Sequence, residues 1–347
     1  MIGIMGLIQF TDKGLFCTKG GFYIDPWRPV DHAIITHGHS DHAKGGSKNY
    51  LCHTYSKPIL QHRLGEANYQ TVVWDQKLTI NGVTVSLHPA GHVIGSSQVR
   101  VEYKGEVYVF SGDYKTEDDG ISGAFAPVRC HTFITESTFG LPIYKWKPQQ
   151  HIYNDMQQWI LQNKQEGKAS VLLAYSLGKA QRILGAISQV TDEIYVHGAI
   201  YNMQEVLLAH QLHHVKVIRI SNELPKEKYR NAVIVAPPGA DGTSWMKKFT
   251  PYRTAICSGW MQVRGNQRRR NADKGFVLSD HCDFEGLLSS IKATGCEKAF
   301  VTHGFQSVFT KYLNEIGIDA SEVKTAYGNE AEEETEKEAD QLNHPSS

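Results

Sequence analysis

The sequence has no long hydrophobic run and no paired cysteines, and each absence argues against a class of protein. No stretch reaches the roughly 20 apolar residues that a transmembrane helix requires. The apolar start, residues 1–10, lacks a basic region and a small-residue cleavage site, so we expect no secretory signal. The six cysteines show no CxxC spacing, which argues against a zinc ribbon and a disulfide framework. The simplest predicted setting is a reducing cytoplasm, without membrane attachment.

The chain also lacks net charge, although its two kinds of charge are unevenly distributed. Residues 329–347 hold seven acids against one base, a net of −6, and no aromatic residue. Such a segment cannot bury enough apolar surface to fold, so we predict a disordered acidic tail. The preceding residues carry 35 bases against 29 acids, and this mildly basic body is compatible with a polyanionic substrate.

Four potential metal ligands fall within the segment HGHSDH at 37–42, directly after an apolar run that predicts a buried strand. His37 and His39 are two residues apart and can face one cation. Asp41 and His42 follow and can reach a second cation beside it. Imidazole and carboxylate groups together suit zinc or a similar divalent ion. A histidine-rich surface loop is the plain alternative, and the ligand candidates farther along the chain count against it.

Those further candidates stand at the ends of later predicted strands. His92 lies between glycines in AGHVIG, and Asp113 lies in SGDY. Glu136 ends the strand pattern TFITE, while His281 and His303 each follow an apolar run near the end of the chain. A Gly-Asp pair alone is usually a turn. The recurrence of acids and histidines at strand ends predicts that they converge at one edge of a sheet.

Asp25 ends another predicted strand, at 21–25, and precedes Pro26. An aspartate before proline is a common turn former. Its position just ahead of the strand that leads to His37 nevertheless favours a supporting role behind the metal ligands. We therefore predict that Asp25 orients ligands without itself binding metal.

The order of predicted elements indicates an α/β protein with one domain inserted into another. Turn residues between short apolar runs at 83–111 predict antiparallel hairpins. From residue 145, helices and strands alternate as in a parallel-sheet module. We expect this module at 145–260, interrupting a metal-site domain at 1–144 and 261–328.

Basic residues offer candidate contacts to a substrate phosphate. Lys179 opens a predicted helix after Gly178 and can contact a substrate phosphate there. The upstream glycine of a nucleotide-binding phosphate loop is missing, which argues against that motif. A cluster of arginines follows the inserted module and can contact phosphates or form a solvated face: Arg264, Arg268, Arg269 and Arg270.

The ordered motifs resemble the metallo-β-lactamase fold with an inserted β-CASP domain, a family of nucleases acting on DNA or RNA. In sequence order they are HxHxDH, Gly-His, Ser-Gly-Asp, Glu-Ser-Thr-Phe-Gly, Ser-Asp-His and Thr-His-Gly, and they span the chain except its tail. The segments 22–30, 133–144 and 178–182 are similar to bacterial ligase-associated DNA exonucleases, which are encoded beside a DNA ligase and a helicase. The resemblance implies an αββα sandwich with an inserted β-CASP α/β domain.

The resemblance further implies two divalent metal ions, with zinc expected and manganese able to support activity. The implied ligands are His37, His39 and His92 for one ion, Asp41 and His42 for the other, Asp113 as a bridge and His303 as the last ligand.

The implied catalytic residues are His281, Glu136 and Asp41, of which His281 and Glu136 form an acid-base pair. With two cations activating water, the expected reaction is hydrolysis of DNA phosphodiester bonds, in an exonuclease of DNA repair.

An RNA nuclease of the same fold is the main alternative. The resemblance implies histidine at the position of His303 in RNA-processing members and valine in eukaryotic crosslink-repair nucleases, whereas the longer similarity favours DNA. A small-molecule hydrolase would not need the inserted module, and a catalytically dead scaffold would usually have lost ligands.

Overall fold

The computed structural model describes residues 4–221, 223–263 and 272–327, with the backbone alone for Ile4 and Met5. The predicted acidic tail, residues 329–347, and the predicted phosphate contacts Arg264, Arg268, Arg269 and Arg270 lie outside these residues. The chain divides into two compact units. The first comprises residues up to Lys145 and from His281 onward, and the second comprises Trp146–Asp280.

The described residues form twenty β-strands, which in chain order are β1 Ile4–Met5, β2 Ile8–Thr11, β3 Gly14–Cys17, β4 Phe22–Ile24, β5 His32–Ile34, β6 Asn49–His53, β7 Asn68–Val72, β8 Lys77–Ile80, β9 Val83–Pro89, β10 Ser97–Tyr103, β11 Glu106–Phe110, β12 Thr132–Ser137, β13 Ala169–Leu173, β14 Ile194–Val196, β15 Ile218–Arg219, β16 Val233–Ala236, β17 Tyr252–Cys257, β18 Lys274–Phe276, β19 Lys298–Gly304 and β20 Asp319–Glu322. Their α-helices are α1 Ser56–Leu64, α2 Gln149–Gln165, α3 Lys179–Ile187, α4 Gly198–Ala209, α5 Phe284–Thr294 and α6 Gln306–Glu315.

Two seven-stranded sheets form the centre of the first unit. One has the order β1-β2-β3-β4-β5-β6-β7 and the other β20-β19-β12-β11-β10-β9-β8. Their inner faces share an apolar core, in which Ile34 and Leu51 of the first sheet are grouped with Val85 and Phe110 of the second. Burial of this apolar surface is the main term that holds the two sheets together.

Helices cover the outer faces of both sheets. On the first sheet, Leu60 of α1 packs in a cluster with Ala33. On the second, Leu287 of α5 and Phe309 of α6 pack in a cluster with Val109. Strands covered on both faces carry apolar side chains on both faces, as expected for buried sheets. The layers therefore run helix, sheet, sheet, helix, which matches the expected αββα arrangement of an α/β unit.

Strand direction brings the candidate ligands to one edge. Strands β4 to β7 are parallel neighbours, so the segments that follow them, including Asp25 and the loop 37–42, leave from the same side of the sheet. Strands β11, β12 and β19 are also parallel neighbours, and they deliver Asp113, Glu136 and His303. The hairpins β8-β9, β9-β10 and β10-β11 are antiparallel, which confirms the predicted hairpins.

The second unit contains a six-stranded sheet of order β15-β14-β16-β13-β17-β18. Every pairing in it is parallel, which confirms the predicted parallel module. Along β13, Leu172 faces the core that holds Met156 of α2 and Ile183 of α3, while Val171 and Leu173 face an opposite core. The strand is therefore buried on both faces.

This unit ends later than the sequence predicted. We expected the chain to return to the metal-site domain at residue 261, but β18 pairs with Ala255–Cys257 of β17 and extends the inserted sheet. Phe276 and Leu278 also pack in the core of that unit. The return accordingly falls at His281.

The cysteines agree with the prediction of no disulfide framework. All six are free thiols, and all but Cys296 are buried. Burial raises the pKa of Cys52 and of Cys257 to about 12. Among the described residues, no helix combines the length and apolar character needed to cross a membrane.

Candidate metal centre

Three histidines and one aspartate form a first group of potential ligand atoms, all within 4.8 Å of one another: His37, His39, His92 and Asp113. Asp113 Oδ2 lies 3.5 Å from His37 Nε2 and 3.7 Å from His92 Nε2. His92 Nε2 is 3.0 Å from His39 Nδ1. Two ligands of a tetrahedral zinc ion with bonds of ~2.0–2.1 Å lie roughly 3.3 Å apart. The group therefore has the spacing of a metal site.

A second group shares Asp113 with the first and adds His42 and His303. Asp113 Oδ1 lies 3.4 Å from His42 Nε2 and 3.0 Å from His303 Nε2. Asp41 Oδ2 is 3.4 Å from His42 Nε2, but Asp41 is missing from the compact ligand groups found in the described part of the chain. Asp113 thus belongs to both groups, and its two carboxylate oxygens would be available to both if each group held an ion.

The hydrogen-bonding pattern of His37 and His42 is the one expected of histidines that bind a divalent cation through Nε2. Among the described residues, the buried Nε2 atoms of His37 and His42 have no hydrogen-bond partner. Their Nδ1 atoms are engaged, at 3.0 Å from Thr36 Oγ1 and 2.7 Å from Asp25 Oδ2 respectively. A proton on Nδ1 leaves the Nε2 lone pair directed into the ligand groups. Buried polar atoms without partners are rare, and a metal ion would satisfy both of these.

The charges of the cluster also suit metal binding. Burial alone would raise the pKa of Asp113, but the nearby His42 and His303 outweigh it and hold this pKa well below its usual range. Burial, with the nearby His42, lowers the pKa of His37 well below its usual range. An ionised carboxylate and a neutral imidazole are the forms that bind metal. Burial would also lower the pKa of His42, but Asp113 and Asp41 outweigh it and raise this pKa well above its usual range.

Asp25 is fully buried and lies within 4.8 Å of ligand atoms of His37 and His42. Its Oδ2 atom accepts hydrogen bonds from Thr36 Oγ1 at 2.5 Å and from His42 Nδ1 at 2.7 Å, while Oδ1 accepts one from the Thr36 amide at 2.8 Å. Thr36 in turn contacts His37 Nδ1. One carboxylate is thereby connected to two ligand rings, one directly and one through a hydroxyl, which is the arrangement that fixes ring orientation and tautomer.

We expect Asp25→Asn to weaken metal binding about 10- to 100-fold, because an amide nitrogen cannot accept the hydrogen bonds that Oδ2 accepts. Asparagine tolerates the left-handed backbone at this position, where φ is 41°, so the fold should be kept. Titration of the metal-free protein with zinc by calorimetry measures the effect. An unchanged affinity would contradict the orienting role.

Two threonines were missed by the sequence interpretation. Each directly precedes a ligand: Thr36 before His37, and Thr302 before His303. Thr302 Oγ1 donates to the Thr135 carbonyl at 3.0 Å and lies 3.3 Å from His303 Nδ1. The repeated Thr-His pair at the end of a strand was a signal available in the sequence.

His281 and Glu136 form a close pair beside the ligand groups. His281 Nδ1 lies 3.0 Å from Glu136 Oε1 and 2.9 Å from Oε2. The amide of Tyr114 donates to Oε1 at 2.8 Å and fixes the carboxylate. The His281 ring is 4.6 Å from that of His92, which places it next to the first ligand group. Both side chains are at least nine-tenths buried.

Tyr327 was also missed. Its ring stacks on that of His42 with centroids 4.5 Å apart and planes 6° apart, and its hydroxyl donates to the Asp25 carbonyl at 3.2 Å. It therefore covers the rear of the His42–Asp25 pair. No local pattern around Tyr327 indicates this contact.

Lys179 lies in the second unit at the start of α3 and is fully buried. Its ammonium group is 3.8 Å from Asp280 Oδ2 and 4.8 Å from the ring centroid of Tyr175. The structure thus gives this lysine partners within its own unit, which the sequence did not indicate, and contact with a substrate phosphate stays a prediction.

Comparisons with known proteins identify relatives of two kinds. A protein of Opitutus terrae named "Probable DNA ligase" is 28% identical over 319 residues, which is 90% of this chain and 30% of that protein. Endoribonuclease YSH1 of Saccharomyces cerevisiae is 30% identical over 131 residues, 36% of this chain and 17% of that protein. Cleavage and polyadenylation specificity factor subunit 3 of Dictyostelium discoideum is 28% identical over 152 residues, 43% and 17% respectively.

The chain therefore spans less than a third of the length of these relatives. No family model matches it. A crystal structure of a protein of unknown function from Enterococcus faecalis V583 has a TM-score of 0.58 at 11% identity and covers 84% of this chain and 78% of that one, which shows a shared fold. With the two ligand groups, the relatives support a β-CASP metallo-β-lactamase nuclease family for this chain, without assigning it to a subgroup.

Proposed function

We propose that this protein is a metal-dependent exonuclease that hydrolyses DNA phosphodiester bonds in DNA repair. The observation that carries the proposal is the pair of ligand groups joined by Asp113, with His281 and Glu136 beside them. A phosphodiester resists hydrolysis because it and hydroxide are both anionic. A site that concentrates positive charge next to a proton donor addresses both the attack and the departure of the leaving group.

We propose that the two ligand groups, together with Asp41, hold two divalent ions. The chemistry of these ligands favours zinc, and manganese is proposed as an ion that supports activity. Bound there, the ions would lower the pKa of water and neutralise charge on the phosphate. Asp41 is assigned to the second ion beside His42. Asp25, Thr36 and Thr302 hold histidine rings in the orientation that this binding requires.

His281 is proposed to protonate the departing sugar oxygen. With Nδ1 bound to Glu136, its Nε2 is the ring nitrogen left to carry a proton to the leaving group. The Glu136 carboxylate stabilises the protonated imidazole and fixes its plane. General acid catalysis of this kind commonly contributes ~10²–10⁴-fold to the rate.

The preference for DNA rests on the relative that matches most of this chain. A region similar to 90% of the chain forms 30% of a longer protein named as a DNA ligase. A DNA ligase joins strand ends that have been trimmed, and an exonuclease carries out that trimming. We therefore propose a DNA ligase as a partner. The family resemblance adds a helicase to this proposal, and the free cysteines favour the cytoplasm as the setting.

An RNA nuclease is the second candidate, favoured by two observations. Relatives named as endoribonucleases are similar to part of the chain, to 36% of it in Saccharomyces cerevisiae and to 49% in Eremothecium gossypii. His303 also stands within the second ligand group, where the resemblance implies histidine for RNA-processing members.

A time course on matched single-stranded DNA and RNA, labelled at the 5′ or the 3′ end, tests the proposal with zinc, manganese and magnesium in turn. We expect DNA to be shortened progressively from one end, and the labelled end that disappears first gives the polarity. Cleavage of RNA alone would favour the second candidate. Internal DNA fragments would contradict an exonuclease, and absence of hydrolysis with every metal would overturn the nuclease proposal.

A further inference from the structure

Two aromatic residues lie at the same edge of the first sheet as the metal loop. Strands β5, β6 and β7 are parallel neighbours, and the metal loop follows β5. Tyr55 follows β6, and Trp74 follows β7. Adjacent strands are about 4.8 Å apart, so the two rings stand roughly one and two strand spacings along the edge from the start of the metal loop.

The rings form a layered aromatic platform, which we define as Tyr55, Trp74 and His53. Trp74 stacks on the buried His53 with centroids 4.1 Å apart and planes 9° apart. The Tyr55 ring stands edge-on to both, 5.7 Å from Trp74 and 4.8 Å from His53. Tyr55 keeps 43% of its surface exposed, and Val73 beside it keeps 55%. The platform thus presents apolar surface to solvent on a rigid base.

Hydrogen bonds connect the platform and its neighbour Ser56 to the segment that follows His92. Ser56, next to Tyr55, donates through its hydroxyl to the Gly95 carbonyl at 2.8 Å, and Gly95 is three residues from His92. Trp74 Nε1 donates to Ser97 Oγ at 3.1 Å. Three residues span at most about 10 Å of chain, so the platform borders the ligand groups.

Helix α1 strengthens this connection. It begins at Ser56, and its Arg63 donates a hydrogen bond to the carbonyl of Gly38, inside the metal loop. The helix is therefore bonded to the His92 segment at one end and to the metal loop at the other. Tyr55 is held at the start of this helix, so its position relative to the ligands is fixed by these hydrogen bonds from side chains to backbone carbonyls.

We propose that the aromatic platform is a stacking subsite for one unpaired base of the nucleic-acid substrate, close to the bond that is cut. This rests on the proposed nuclease function. A flat base covers the exposed Tyr55 surface, while the phosphate that follows it can reach the ligand groups. Every base offers an aromatic face, so the subsite favours single strands without reading their sequence.

Tyr55→Ala tests the subsite on the nucleic acid that the wild type cuts. Because stacking on an aromatic side chain is worth ~1–3 kcal/mol per base, we expect KM to rise about 5- to 140-fold while metal content stays unchanged. Tyr55→Phe keeps the ring and should retain the wild-type KM. Ile316→Ala removes a side chain of matched exposure, 40%, at the far end of α6 and should have no effect.

A set of single-stranded substrates, each with one abasic position, locates the contact. In the wild type, we expect one abasic position near the cut to raise KM by the same factor, and Tyr55→Ala should show no further rise there. A Tyr55→Ala enzyme with wild-type KM, or one still sensitive to that abasic position, would overturn the subsite alone. A folded wild type that cuts no nucleic acid would overturn the proposed function and this inference with it.

Discussion

Replacing Asp113 by alanine is expected to remove bound metal and hydrolysis together. Its carboxylate is the one group common to both ligand groups, within 3.0–3.7 Å of four histidine nitrogens. Losing it removes the negative charge between the proposed ion positions. Since the ions contribute several kcal/mol of charge stabilisation, we expect activity to fall on the order of 10³-fold or more. Elemental analysis of the purified protein and a DNA hydrolysis assay measure the two effects.

The matched control is Asp319→Ala. The Asp319 side chain is 64% exposed and lies 3.8 Å from Lys298, a surface ion pair of little energetic weight. This variant should keep metal content and activity. Two ions per chain in Asp113→Ala would contradict the bridging role, because the remaining ligands would then suffice without the shared carboxylate.

Replacing His281 by alanine is expected to lower the turnover number ~10²–10⁴-fold while leaving the metal content intact. The His281 ring contacts Glu136 and the ring of His92. It forms a further compact group of potential ligands with Glu136 and Asp113, but it belongs to neither of the two groups proposed to hold the ions. The loss should therefore appear in kcat and not in metal binding. Steady-state kinetics on DNA, with elemental analysis of the same sample, measure both quantities.

A substrate with a good leaving group separates acid catalysis from simple damage to the site. A nitrophenyl ester of a nucleotide releases an anion that needs no proton, so His281→Ala should lose far less activity on it than on DNA. Glu136→Gln, which removes the charge beside the imidazole, should show the same selectivity. Equal losses on both substrates would argue that His281 positions the phosphate and is not the acid.

The candidate ligands could be predicted from the sequence because each follows a short apolar run. Asp113 follows β11, and Glu136 and His303 each occupy the next-to-last position of their strands, β12 and β19, so all three lie where a strand reaches the edge of its sheet. The helices and parallel strands of the second unit could also be predicted, because the hydrophobic periodicity that indicates them is local in the sequence. The end of the second unit could not be predicted from the sequence. Its last strand, β18, has only three residues, and its pairing with β17 is seen only in the tertiary structure.

The sequence by itself determined the chemistry of this protein: histidines and aspartates spaced for divalent metal, in an α/β chain with an inserted module. Those properties depend on residue type and on short-range spacing. The tertiary structure decided which atoms meet. It assigned Asp113 to both ligand groups, connected Asp25 to His37 through Thr36, stacked Tyr327 on His42, and brought the rings of Tyr55 and Trp74 within 5.7 Å of each other. Such contacts join residues far apart in the chain, and only the packing of sheets and the direction of their strands fixes them.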